Sequence, residues 1–162
     1  MRLIDRRVLA SVVCLAVGSV FFVGSALAQS DPAAGTWKLN PAKSRYTPGP
    51  APKSNVITIV TAGDTLKISS QGIDGDGKPT STNYTATFDG KDNPIKGAPA
   101  YDTVSHKRID ANTTEQTRKK EGKTVQTATR KISADGKTMT VTSLGKTESG
   151  KPLNNVAVYE KQ

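Results

Sequence analysis

The sequence predicts an antiparallel all-β fold closed into a single up-and-down barrel, and three observations carry that prediction. Turn signals built on Gly or Asn recur along the chain, the segments between them run about 7 to 11 residues, and apolar residues within those segments alternate with polar ones. Asp-Gly and Asn tolerate the positive φ of tight hairpin turns. Residues branched at Cβ, here abundant Thr, Val and Ile, suit a pleated surface better than a helix. Several short strands at this spacing indicate one antiparallel sheet.

Residues 1–28 are set apart first. Arg2, Arg6 and Arg7 precede an apolar run from Val8 to Val23, and Ala26-Leu27-Ala28 supplies small residues at both cleavage subsites. This is the pattern of a secretory signal peptide. The run is shorter than the roughly 20 residues of a membrane helix, so no membrane span is expected after cleavage. Cys14 follows Val13 rather than a small residue, which argues against lipid attachment there. Cleavage after Ala28 leaves one domain, 29–162, and lowers the net charge from +9 to +7. That domain has no cysteine, so no disulfide can hold it in an exported setting. Leu, Ile, Val and Phe fill only 19 of its 134 positions. A composition that thin borders on disorder. Regular placement of those residues argues for a fold, and their scarcity argues against an interior that is both wide and greasy.

The expected strands are 35–40, 54–61, 64–71, 79–89, 101–109, 112–120, 123–132, 137–144 and 154–161, within a range of about 8 to 10. Period-two alternation supports them: Ile57 and Ile59 flank Thr58, Leu66 and Ile68 flank Lys67, and Tyr84, Ala86 and Phe88 alternate with Thr85 and Thr87. Met139 and Val141 alternate with Thr138, Thr140 and Thr142, and Val156 with Val158. Two segments break the rhythm. Pro41 to Lys53 holds four prolines and reads as an extended crossing arm or lid that would control access. Asn93 to Ala100, with Pro94, Gly97 and Pro99, reads as a closing segment or a short edge strand. An open meander would leave two unpaired edges. Closure by pairing 35–40 with 154–161 removes them and gives a barrel that is either filled by side chains or holds one small ligand.

The first strand, Gly35-Thr36-Trp37-Lys38-Leu39-Asn40, carries a G-x-W, and the last reads Val156-Ala157-Val158-Tyr159-Glu160-Lys161. These ends resemble the opening and closing strands of the lipocalin and fatty-acid-binding-protein superfamily, the calycin-type barrels. The chain is also similar to a group of exported bacterial proteins, with no settled activity, that share W-K-L-N-x-x-K-S, P-G-P-A-P-K-S and K-R-I-D-A-N-T. Those motifs stand here at Trp37 to Ser44, Pro48 to Ser54 and Lys107 to Thr113. The resemblance implies that Trp37 and Tyr159 close the barrel. It also marks two departures. The lipid-binding branch holds a carboxylate with an Arg two positions before the closing Tyr, where this chain has Ala157, and the branch's helical portal is replaced by 41–53.

Side-chain chemistry excludes more than it supports. One His and no Cys in 29–162 leave no zinc-type ligand set, so no metal and no cofactor are expected. Asp74-Gly75-Asp76-Gly77 lacks the later ligands of a calcium loop and reads as a hairpin turn. No G-x-S-x-G elbow accompanies His106, and no carboxylate pair is singled out by spacing, so no catalytic residue is named and a non-enzyme is expected. Fold analogy then points to binding of a small hydrophobic or amphipathic molecule. Tyr84, Phe88, Val104, His106, Met139 and Val141 are the expected lining. The alternative is a filled barrel whose basic surface, Lys107, Arg108, Arg118, Lys119, Lys120, Lys123, Arg130 and Lys131, meets anionic glycan or lipid headgroups. Because 105–135 contains no Phe, Trp or Tyr, nucleic acid is disfavoured as a partner. A third reading is an enzyme on the same fold, built on His106 with an acid beside it. The expected setting is a bacterial periplasm or the exterior, with the protein acting as a monomer.

Overall fold

The computed structural model of the chain describes residues 31–162, so the signal-peptide reading of 1–28 lies outside the described residues. Eleven strands form one antiparallel sheet: β1 Gly35–Leu39, β2 Arg45–Thr47, β3 Ser54–Ala62, β4 Thr65–Ile73, β5 Pro79–Thr87, β6 Asn93–Pro94, β7 Thr103–Arg108, β8 Thr113–Lys120, β9 Lys123–Ile132, β10 Thr138–Lys146 and β11 Pro152–Lys161. Their spatial order is β5-β4-β3-β1-β11-β10-β9-β8-β7-β6, with β2 added to β11. The nine expected strands are all present. The two additional ones are short pieces inside the segments that broke the rhythm.

Closure runs through β1. It pairs with β3 on one side (Trp37 with Ile57) and with β11 on the other (Trp37 with Lys161, Leu39 with Tyr159). Trp37 is fully buried, and its indole Nε1 donates to the Ala33 carbonyl at 2.8 Å, which satisfies the one polar atom of the ring. Around it pack Leu39, Ile59, Leu66, Ile132 and Met139, the apolar plug of the closed end. Replacing one of these aliphatic residues by Ala costs about 2–5 kcal/mol. Tight turns join the long hairpins. Between β8 and β9, Glu121 and Gly122 take φ of 50° and 75°, the positive pair a two-residue hairpin requires.

The arm 41–53 begins with a 3-10 turn, Pro41–Lys43, whose Asn40 side chain accepts from the Lys43 amide. It continues as β2 against β11 and then lays Pro50 on the β4–β5 turn. A Cβ on Gly75 would stand 2.4 Å from the Pro50 ring.

The barrel has one weak seam. Between β5 and the 90–108 region the continuous ladders stop, and two isolated bridges, Asn83 with Lys96 and Asp89 with Lys107, join the edges. The first exchanges both backbone hydrogen bonds at 3.2 and 3.3 Å, and the Gly90 amide adds one to His106. Gly97 holds this contact close. At φ +81° a Cβ on it would stand 1.8 Å from the Ser81 carbonyl oxygen. Gly136 has a similar φ of +68° but open space around it. Gly136→Ala therefore meets only left-handed strain, about 1–2 kcal/mol, whereas Gly97→Ala also breaks the seam. A distinctly lower urea midpoint for Gly97→Ala than for Gly136→Ala is expected. Equal midpoints would show that the seam carries no stability.

Candidate ligand cavity

Period two decides which side chains enter the barrel. On β8 the inward set is Thr114, Gln116 and Arg118; on β9 it is Gln126, Ala128, Arg130 and Ile132; on β10 it is Met139, Val141 and Ser143. Between them and the opposite wall lies a cavity of about 240 Å³. One wall is apolar, with Ile57 and Ile59 from β3, Ile68 from β4, and Met139 and Val141 from β10. The stretch on β8 and β9, facing the isoleucines of β3 and β4 and flanked by Val141 as the register partner of Arg130, is polar and cationic, with Gln116, Arg118 and Arg130. Asn55, Ser70, Thr80 and Thr82 line the cavity towards the end where β3 and β5 begin and β4 ends, and the lining contains no Asp or Glu.

The two arginines correct the sequence expectation of a basic surface. Arg130 is only 3% exposed because it shares the inward phase of Ala128 and Ile132, and Arg118 shares that of Thr114 and Gln116. Arg118 is held in place. Its Nη1 donates to Gln126 Oε1 at 3.1 Å, its Nη2 to Gln116 Oε1 at 3.2 Å, and its guanidinium lies 5.1 Å from the Tyr101 ring centre. Arg130 is left open, with its Nη2 buried and without a hydrogen-bond partner. Burial lowers its pKa, yet an arginine stays charged in proteins. A buried, unpaired donor of this kind costs about 1–3 kcal/mol, more when charged. Arg108 also leaves the surface set. It donates to Asp31 at 2.6 Å and lies 3.8 Å from the Phe88 ring centre. Lys119 pairs with Asp92 at 2.8 Å, and Lys107, Lys120, Lys123 and Lys131 stand outside, exposed.

Of the residues expected to line the interior, Tyr84, Val104, Met139 and Val141 do so. Phe88 and His106 do not. They pack beside the cavity, where His106 is stacked on Tyr84 with ring centres 5.6 Å apart and Phe88 meets it edge-on at 6.5 Å. Trp37 lies in the plug. Tyr159 both joins the plug cluster and faces the cavity, its hydroxyl donating to Asn55 Oδ1 at 3.3 Å. No residue of the arm 41–53 lines the cavity, although Tyr46 packs against the core and its hydroxyl is pushed up to about 12 by burial.

Electrostatics inside follow from burial and from the two guanidinium groups. Burial, with Arg130 and Arg118 adding to it, brings the His106 pKa down to about 3, so the ring is neutral at physiological pH. Its Nε2 shares a 3.1 Å hydrogen bond with the Tyr84 hydroxyl, which burial raises to about 12. Tyr159 is raised as well, for the same reason. With two guanidinium groups and no carboxylate in its lining, the cavity is positive.

Comparison with solved structures shows the fold. The chain is similar to zebrafish ileal bile acid-binding protein, solved with cholic acid: 13% identity, a TM-score of 0.51, 81% of this chain and 99% of that one. Against the protein EF1p2_mFAP2b bound to DFHBI the figures are 16% identity, a TM-score of 0.42, and 81% and 94% of the two chains. The shared architecture is a nearly closed antiparallel β-barrel. No protein-family model matches the sequence, and no curated protein matches it.

The depressed His106 pKa has a signed consequence. Below pH 6.5 the unfolded chain takes up a proton that the folded barrel refuses, so stability is full above pH 6.5 and is lost as pH falls towards 3. The slope attributable to this residue is about 1.4 kcal/mol per pH unit. Urea unfolding at pH 7, 6, 5 and 4 should show that the His106→Gln variant loses less stability on acidification than the wild type. Parallel curves would refute the buried neutral histidine.

Proposed function

We propose that this chain is an exported, non-catalytic binding protein whose barrel takes up a small amphipathic molecule carrying an anionic group. The observation that carries the reading is the cavity wall, with two inward arginines, one of them with a free buried Nη2, and no carboxylate in the lining; Asp31, whose charge reaches Arg130, is itself paired with Arg108. An anion would supply the missing partner in a setting where charge-assisted hydrogen bonds are strong. The opposing isoleucines would take the apolar part of the ligand. At about 240 Å³ the space is smaller than the roughly 300–1,000 Å³ of drug-sized sites, which favours a compact ligand. The bile-acid-binding protein of similar fold supports a barrel that holds amphipathic anions, as an analogy of architecture. A non-catalytic role is favoured because the lining offers no carboxylate and no histidine to act as a base. The sole histidine stands behind that lining.

Recognition of anionic envelope components by an outer basic face is weakened, because four of the eight residues assigned to it are engaged elsewhere: Arg108 with Asp31, Lys119 with Asp92, and Arg118 and Arg130 in the interior. Among the described residues no helix is long and apolar enough to cross a membrane. Export to a bacterial periplasm or beyond rests on the pattern of residues 1–28. The mass of protein recovered from its own cells should correspond to a chain beginning at Gln29, and a chain that begins at Met1 would contradict the proposal.

Arg130 separates ligand binding from stability. Replacing it by Met removes a buried charge that lacks a full set of partners, so Arg130→Met should unfold at an equal or higher temperature. Calorimetric titration with octanoate should meanwhile weaken by about 10- to 100-fold, the worth of a hydrogen bond to a charged group. The neutral 1-octanol should be bound equally by both proteins. Unchanged octanoate affinity in the variant would refute the role of Arg130.

A further inference from the structure

A second groove, of about 440 Å³, lies on the outer face of the barrel where the sheet meets the seam, apart from the interior cavity. Strand register gives its shape. Thr58, Ser69 and Asn83 stand side by side on β3, β4 and β5, and the bridge from Asn83 carries the row on to Lys96. Two residues along each strand, a second row runs through Val60, Lys67 and Thr85 towards Pro94. Both rows point outward, because the register pair between them, Ile68 with Tyr84, faces the interior. The groove is the furrow between the two rows, with the backbone of that inward pair as its floor. Three strand spacings of about 4.8 Å make it about 14 Å long.

The chemistry of the walls selects an occupant. Lys67 and Lys96 are exposed, no Asp or Glu lines the furrow, and neither lysine has a salt-bridge partner among the described residues. They stand in opposite rows and two strands apart, about 10 Å along the furrow at roughly 4.8 Å per strand. An extended peptide advances about 3.3 Å per residue and alternates its side chains, so its residues i and i+3 lie about 10 Å apart on opposite sides. The hydroxyls of Thr58, Ser69 and Thr85 and the amide of Asn83 offer donors and acceptors to a peptide backbone. Val60, 56% exposed, offers an apolar contact at the far end.

The seam adds main-chain groups. Asn83 exchanges both backbone hydrogen bonds with Lys96, so Thr85, two residues on, turns its N–H and C=O to the same side, opposite Pro94. Proline has no N–H to give, and no ladder forms there. Among the described residues the main-chain groups of Thr85 have no backbone partner across the seam. The furrow offers no aromatic face on which a sugar ring could stack, since the Tyr84 ring turns inward to His106.

We propose that this furrow docks an extended acidic segment of another protein, with two carboxylates three residues apart on Lys67 and Lys96 and an apolar residue, two positions before the first, on Val60.

Two hexapeptides of one composition, acetyl-VTETSE-amide and acetyl-VTETES-amide, test this by amide-shift titration of the 15N-labelled protein. The acids of the first are three apart; those of the second are two apart and share a side. The first should bind about two- to fivefold more tightly, the worth of one exposed ion pair, and should shift the amides of Ser69, Thr85 and Lys96. Lys67→Gln and Lys96→Gln should each bring the two peptides to equal affinity. Ser69→Tyr, which fills the furrow from an exposed position, should abolish binding at an unchanged melting temperature, and Arg130→Met should bind the first peptide as the wild type does. Equal affinity of the two peptides for the wild type, shifts confined to the cavity lining, or no binding at all would overturn the proposal. A response to phosphatidylglycerol vesicles or to polygalacturonate, with none to either peptide, would also overturn it and assign the furrow to a lipid surface or an anionic glycan.

Discussion

The structure depends on one short strand. β1 has five residues, and it alone joins the β3–β5 half of the sheet to the β7–β11 half by continuous ladders. Its central residue is the fully buried Trp37, whose indole is satisfied by the Ala33 carbonyl four residues earlier. Without that strand the sheet would present two long unpaired edges. With it, the inward faces of both halves meet and a chain with few large apolar residues obtains a single core. Asp31 reinforces the same end by accepting from both the Ala33 amide and Arg108.

A barrel of this kind is apolar only as far as its composition allows. The plug takes the largest fully buried apolar residues, Trp37, Ile59, Leu66 and Met139 among them, and the remaining interior positions of β8 and β9 include Thr114, Gln116, Gln126 and two arginines. That distribution costs stability, since buried polar groups must find partners or go unsatisfied. Most of them do find partners. Arg118, Gln116 and Gln126 satisfy one another, and Tyr84 meets His106. The two buried side-chain atoms left without a partner among the described residues, His106 Nδ1 and Arg130 Nη2, belong to the same side of the barrel. Unmet hydrogen-bonding capacity is thus concentrated beside the cavity rather than scattered through the core.

Much of this was legible in the sequence. Turn spacing and alternation located nine of the eleven strands, β9 to the residue, and the need to close the sheet paired the first with the last. β2 and β6 were hidden because they are two or three residues long and lie in Pro-containing segments. Arg130 was also legible in principle, since it shares the phase of Ala128 and Ile132, but charge was read as exposure. Arg118 was legible in the same way, since it shares the phase of Thr114 and Gln116, and the register shift falls only after it, between Arg118 and Lys119. Alternation assigns a side, not a depth. Whether Phe88 and His106 line a cavity or lie behind one depends on the stagger between strands, which no local pattern records.

The closure through β1 has a topological consequence. The Gln162 amide donates to the Thr36 carbonyl at 2.9 Å, so the last residue lies against the first strand, and Lys161 faces Trp37 across the ladder. Covalent order and spatial order nearly coincide around the ring, and the barrel has no preferred starting point. A circular permutant joined across these neighbouring ends and opened at the exposed Ser149–Gly150 turn would keep every ladder while moving the termini to the opposite rim.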